Sequence, residues 1–313
     1  MAGAVQAGGP RDEAREQDAA RAPAVVVVLA TREPGPWFDE TLAALAAQDY
    51  PELSVLVLVT GGAEDPTARV ARALPAAFVR RLRGGRGYGA AVDEALGMVE
   101  GATFFLLCHD DCAPDPTAVH LMVEESFRSN AGIVTPKMVR WDDPSVLLHV
   151  GQHADRTGAV VERVQAGEVD HGQHDAVMDV FVAPGGFTLV RSDLLRELGG
   201  FDRAMTAMGE DLDLCWRAHV AGARVVVAPA ARVRHLEALA AGVRPLPPSA
   251  AGTSPAPTLQ ALERRHELRA MLTCTALVRL AVMVPLALAL SLGEVVIALV
   301  AGDRDRARAV AVA

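Results

Sequence analysis

Three groups of residues have the types and spacing to do chemistry. Asp110 and Asp111 follow His109 at the end of an apolar run, Thr103–Cys108. Glu210 and Asp211 open a stretch in which Leu212, Cys215, Trp216 and His219 recur at helical spacing. His235 follows a β-branched run, Arg224–Ala228, that Pro229 is expected to close. Carboxylates are hard ligands for a divalent cation, and a cation beside an anionic leaving group eases its departure. A second carboxylate across the site can take the proton of an incoming hydroxyl. Each residue also has a plain structural role: Asp favours turns, a carboxylate at a helix start is stabilised by the helix dipole, and a lone His is commonly a surface or satisfied core residue. Their order along the chain gives the chemical reading its weight.

The elements that must position these residues follow from patterning. Short β-branched runs alternate with helical stretches: Val25–Leu29, Trp37–Gln48, Leu53–Val59, Pro66–Leu74, Phe78–Leu82, Tyr88–Val99 and Thr103–Cys108. Strands separated by helices of that length imply a mostly parallel sheet with crossover helices, in which ligands sit beyond the carboxyl ends of the strands. That edge is where His109-Asp110-Asp111 falls. Pro116–Ser129 reads as a helix and Gly132–Val139 as a strand. Val177–Val182 and Phe187–Val190 read as strands around Pro184-Gly185-Gly186, followed by helices at Ser192–Leu198 and Gly209–Ala221, with Trp216 as core packing. The segment Trp141–Asp175 is polar, and its His149, His153, His171 and His174 define no metal spacing. Residues 1–22 read as a disordered tail and 241–258, rich in Pro, Ser, Ala and Gly, as a flexible loop.

The order of five separated motifs resembles the family 2 glycosyltransferases of the GT-A fold. These are Thr31-Arg32 after the first strand, Thr41-Leu42 with Gln48-Asp49-Tyr50-Pro51, and His109-Asp110-Asp111. Gly199-Gly200-Phe201-Asp202 with Gly209-Glu210-Asp211-Leu212-Asp213-Leu214-Cys215-Trp216-Arg217 follows, and then Val233-Arg234-His235. The resemblance spans roughly 24–237 and implies a Rossmann-like, mostly parallel sheet with flanking helices over 23–240. It implies an inverting transfer of a sugar from a nucleotide-diphosphate donor with Mn2+ or Mg2+ as cofactor. By resemblance, Asp111 and His235 hold the cation, and Asp110 contacts donor ribose or sugar. Asp211 is the catalytic base and Glu210 its partner, while Asp202 braces its turn. Thr31, Arg32, Thr60 and Arg86 are the remaining donor contacts. Three positions depart from the family pattern: His109 replaces the first aspartate often found in its motif, Thr60 stands where an aspartate usually meets the nucleobase, and the stretch Gly84–Gly89 has no asparagine. Two other functions share these features, a nucleotide-sugar-binding scaffold without turnover and a metal-dependent nucleotidyltransferase; the Glu210-Asp211 pair argues against the latter.

Composition sets the outer bounds. The 313 residues are 51% hydrophobic and 22% charged, enough for a full α/β core. A formal net charge of −9 with no basic stripe excludes a phosphate-backbone partner, so no nucleic acid is expected. Cys108, Cys112, Cys215 and Cys274 lack paired spacing and read as reduced thiols. Leu259–Thr273 reads as an amphipathic helix. The apolar stretch Leu277–Ala301, with arginines on both flanks, is expected to associate with the cytoplasmic face of a membrane, near a glycan or lipid-linked acceptor.

Overall fold

The computed structural model describes residues 22–82, 87–155, 159–205, 207–245 and 259–302, together with Ala307 and Val310. The expectations for the tail up to residue 21, for Arg86 and for loop residues 246–258 lie outside the described residues.

The first half is built of four parallel strands. β1 (Val25–Thr31) begins with four consecutive valines, whose branched side chains suit an extended backbone buried on both faces. It pairs with β2 (Leu53–Val59) and β4 (Phe104–His109), and β2 pairs with β3 (Phe78–Arg81), all parallel. Register aligns Thr31 with Val59 and Ala30 with His109, so Thr31, Thr60 and His109 reach one edge together. Crossovers are made by α1 (Phe38–Ala46), α2 (Thr67–Ala73) and α3 (Tyr88–Met98). Alternate sheet residues face two cores. Val27, Leu29, Val57 and Leu106 pack with Phe38, Leu42 and Met122, while Val28, Leu58 and Phe105 pack with Ala91, Val92 and Leu212.

The second half extends the sheet. β5 (Cys112–Pro114), α4 (Ala118–Ser129) and β6 (Ala131–Arg140) follow, then β7 (Leu147–His149), β8 (Gln152–Ala154), β9 (Val160–Glu162) and β10 (Met178–Asp179). β11 (Phe187–Arg191), α5 (Ser192–Glu197), α6 (Glu210–Val220) and β12 (Arg224–His235) complete the unit. The main sheet runs β10-β12-β6-β11-β4-β1-β2-β3. β10 and β11 run against the other strands of that path, so the sheet is mostly parallel.

Two expectations are corrected. The strand proposed over Val177–Val182 is reduced to β10, since only Met178 and Asp179 pair with β12. Pro229 does not close the last strand either: β12 shifts register between Ala228 and Arg232 and resumes to His235. A proline has no N–H to give the ladder, but an irregularity leaves its position unpaired and re-aims the strand beyond it. The resumed part pairs with β5, setting His235 opposite Cys112. The polar segment 141–175 holds the short strands β7, β8 and β9.

α7 (Leu259–Cys274) packs on this unit through Ala261, Leu262, His266, Glu267, Ala270 and Met271. Its His266 ring meets the Met208 carbonyl at 2.6 Å and Arg269 pairs with Asp202 at 2.6 Å. α8 (Leu277–Val300) is long and apolar enough to cross a membrane and packs little against the rest, with Leu277 and Val278 about 85% exposed.

Candidate active site

The carboxyl edge of β1, β2 and β4 opens onto a cavity of about 440 Å3, in the size range of small-molecule clefts. Thr31, Arg32 and Thr60 line it from the parallel half, His109 and Asp111 from the end of β4, and Glu210 and Asp211 from the start of α6. His235 enters from the end of β12. Thr60 is fixed there by its backbone N–H, which donates to the Thr31 carbonyl at 2.8 Å. Of the residues singled out from sequence, Asp110 stands apart from the lining. It is fully buried, accepts a hydrogen bond from the Thr31 hydroxyl at 2.5 Å and is ion-paired with Arg244. Burial pushes its carboxyl up to about 6 against the pull of Arg244.

Asp111 and His235 are brought together by the pairing of β5 with β12. His235 Nε2 lies 3.4 Å from Asp111 Oδ1, an ion-pair distance too long for a good hydrogen bond. Asp111 Oδ2 accepts the Ala238 N–H at 2.8 Å. Burial pushes Asp111 up, but its contact with His235 and the nearby Arg244 charge outweigh that and hold the carboxyl below the ordinary carboxylate range. Asp111 Oδ1 and His235 Nδ1 are both buried with no hydrogen-bond partner. Buried polar atoms are ordinarily satisfied, and the Asp111 Oδ1 left without a hydrogen bond stands 3.4 Å from His235 Nε2, a pair that fits residues able to hold a cation.

Gly186 makes this proximity possible. At φ +118° it adopts a conformation that suits glycine, and a Cβ there would stand 2.8 Å from His235 Cε1. Its carbonyl accepts the His109 N–H at 2.7 Å and the Cys112 thiol at 3.3 Å. Next to it, the Gly185 N–H donates to Asp211 Oδ2 at 2.9 Å, while the Leu212 N–H reaches Asp211 Oδ1 at 3.0 Å. A Cβ on Gly185 would lie 3.7 Å from both Asp211 Oδ2 and His109 Cε1, so one glycine separates the base candidate from the cation cluster.

Burial raises Asp211 above its ordinary value despite these N–H donors, and raises Glu210 to about 7 with help from the Asp211 charge. Glu210 Oε2 has no partner. Near neutral pH the pair therefore shares the cost of ionising two adjacent buried carboxyls.

Several residues to which the sequence assigned no role also face the cavity. The His109 ring stacks edge-on against Tyr88 at 4.7 Å, and burial lowers it to about 4, leaving a neutral imidazole. His149 bridges Glu162 at 3.1 Å and Glu237 at 3.0 Å; burial opposes its charge, but the two carboxylates raise it to about 10. Arg244 covers the Trp37 ring at 5.7 Å, and Glu263 and Glu267 enter from α7. His109 was legible in its motif. Tyr88, Glu263 and Glu267 lie in stretches read as helices, but nothing in their pattern points to a cavity, and His149, Glu162, Glu237 and Arg244 lie in segments without a period or motif.

The family model described as glycosyltransferase like family 2 matches residues 22–253. A pre-mycofactocin glycosyltransferase of Mycobacterium tuberculosis is 42% identical over 71 residues, 21% of this chain. The match spans only 15% of the length of that relative. Among solved structures, GalNAc-T7 with UDP, GalNAc and Mn2+ shares 13% identity at a TM-score of 0.63, covering 79% of this chain and 48% of that one. S. aureus TarS shares 17% identity at a TM-score of 0.49, covering 69% and 37%. The sheet topology and the likeness to GalNAc-T7 identify the fold as GT-A, and the match over residues 22–253 shows that the chain belongs to the glycosyltransferase like family 2.

Proposed function

We propose that the protein transfers a sugar from a nucleotide-diphosphate donor to an acceptor hydroxyl with inversion at the anomeric carbon. The observation that carries this reading is the convergence, on one cavity, of a cation-competent pair (Asp111, His235) with a buried carboxylate (Asp211) one glycine away. Family membership supports the reaction class, and the neighbour solved with UDP, GalNAc and Mn2+ supports the donor class and the cofactor, Mn2+ or Mg2+. The acceptor is proposed to be a cell-envelope glycan or a lipid-linked sugar, with α8 holding the enzyme at the cytoplasmic face of the membrane.

A divalent cation bound by Asp111 and His235 would neutralise the departing diphosphate. Thr31, Arg32 and Thr60 line the donor end, where Arg32 offers a guanidinium to phosphate and Thr60 a hydroxyl to the nucleobase. Asp211 takes the acceptor proton as the hydroxyl oxygen bonds to the anomeric carbon. The bond from that carbon to the diphosphate oxygen breaks on the opposite face and its electron pair leaves with the nucleoside diphosphate. Glu210, raised to about 7, serves as the protonated neighbour that orients the acceptor, leaving Asp211 the ionised member of the pair.

The test is titration of the wild type and Asp111→Ala with UDP and other nucleoside diphosphates, with Mn2+ and with EDTA. Binding that depends on the cation in wild type and is lost in Asp111→Ala is the expected outcome. Equal binding in all arms would remove the cation from the donor site. Family membership and the buried base pair favour this reading over a scaffold without turnover or a nucleotidyltransferase.

A further inference from the structure

Among the described residues, His109, Asp111 and His235 form a group of candidate metal ligands whose donor atoms all lie within 4.8 Å of one another. We propose that His109 is itself a ligand, and that two imidazoles with one carboxylate make this a site for a borderline transition-metal cation rather than for Mg2+. The inference rests on the cation reading of the site given above and narrows the metal class it takes.

Geometry is the first support. Nitrogen and oxygen ligands sit about 2.0–2.2 Å from a first-row cation, so ligands on opposite sides lie about 4.4 Å apart or less. A cluster within 4.8 Å closes on an ion through small side-chain adjustments. Asp111 and His235 are 3% and 6% exposed, and Asp111 Oδ1, which has no hydrogen-bond partner, stands 3.4 Å from His235 Nε2. The other carboxylate oxygen of Asp111 is fixed by the Ala238 N–H, so the free one is held in place.

His109 is anchored to the same cluster. Its backbone N–H is tied to Gly186, and its ring is held edge-on by Tyr88 at 4.7 Å and lies 5.8 Å from the His235 ring. The oxygen that would otherwise harden the site is engaged elsewhere, because Asp110 is fully buried and its two carboxylate oxygens are taken by Thr31 and Arg244. What remains is a nitrogen-rich set. Mg2+ favours octahedral oxygen ligands and keeps its waters, whereas imidazole binding strengthens from Mn2+ to Co2+.

Calorimetric titration of the full chain with MgCl2, MnCl2 and CoCl2 alone, joined to pulsed EPR of the Mn2+ form, tests this. Wild type should bind Co2+ at least about tenfold more tightly than Mg2+, with Mn2+ between, and the EPR should show coupling to two imidazole nitrogens. His109→Phe keeps an aromatic ring against Tyr88 and should lower Co2+ affinity by about tenfold or more, with one imidazole coupling left. His109→Asp should raise Mg2+ affinity and shrink its gap to Co2+. The proposal is overturned by Mg2+ binding as tightly as Co2+ in wild type, or by an unchanged affinity in a folded His109→Phe. Coupling to a single imidazole in wild-type protein overturns it too, a measurement that needs no variant. If wild type binds none of the three cations, the cation reading of the whole site falls with it.

Discussion

At the residue scale, Asp211 and Glu210 make opposite demands on the same low-dielectric pocket. Asp211→Asn keeps the side-chain shape and one oxygen for the Gly185 or Leu212 N–H, but replaces the other accepting oxygen by an NH2 and removes the proposed proton acceptor. Turnover should fall about 10²-fold or more while donor affinity stays near wild type, measured by steady-state kinetics beside donor titration. Parallel loss of both would make Asp211 a donor contact instead. Glu210 gives a second prediction, on stability. Its pKa is raised by burial from 4.5 to about 7 on folding. The native state therefore binds the proton more tightly, so this contribution is fully present below about pH 4.5 and is lost as pH rises through about 7. Thermal melts of Glu210→Gln should show a shallower decline across that window than wild type. Equal slopes would mean the carboxyl gains enough solvation to ionise freely.

At the scale of elements, the site depends on how β11 begins. The Pro184-Gly185-Gly186 turn places one glycine against Asp211 and the next against His235 as the chain enters the strand beside β4. Gly186→Ala combines a left-handed backbone conformation with a Cβ 2.8 Å from the His235 ring. We expect a cost of about 1–3 kcal/mol from the backbone alone, read in chemical denaturation. Displacement of His235 should also weaken cation binding. Stability loss with unchanged cation affinity would show that His235 does not depend on this glycine. Lys137, 2% exposed on β6, anchors a different segment. Its ion pairs with Asp170 and Asp175 pin the irregular segment that follows β9 to the sheet, and Arg232 adds a third arm at 2.7 Å to Asp170.

At the scale of the whole molecule, α7 and α8 behave differently although they are adjacent. α7 closes one wall of the cavity and buries a helical stripe against α6, while α8 leaves Leu288, Leu292 and Ile297 about two-thirds exposed. An apolar helix left uncovered by its own protein marks a contact with lipid or another protein, and lipid is the contact proposed for α8. Flotation with phospholipid vesicles should carry the full chain to the lipid layer and leave a chain ending at Thr275 in the soluble layer. Equal flotation of both would move the membrane contact to another surface.

The alternation of β-branched runs and helical stretches, and the placement of His109-Asp110-Asp111 after a buried strand, are fixed by local chemistry. Short-range sterics and side-chain periodicity act within a few residues, so the parallel half and α6 were legible with boundaries close to those observed. The strength of α8 as an apolar run was legible for the same reason. Where β12 ends was not: Pro229 reads locally as a stop, but pairing with β6 and β5 carries the strand through an irregularity to His235. Asp110 and Asp111 are neighbours with the same local preference, yet one is sealed behind Thr31 and Arg244 while the other faces the cavity. His149, Glu162 and Glu237 meet only because short strands without a period of their own are placed by the sheet they join. The sequence by itself determined the long strands and helices and which chemistry the chain can carry. Tertiary structure decided which side chains share the site, because that depends on contacts between residues far apart in the chain, which local preferences do not encode.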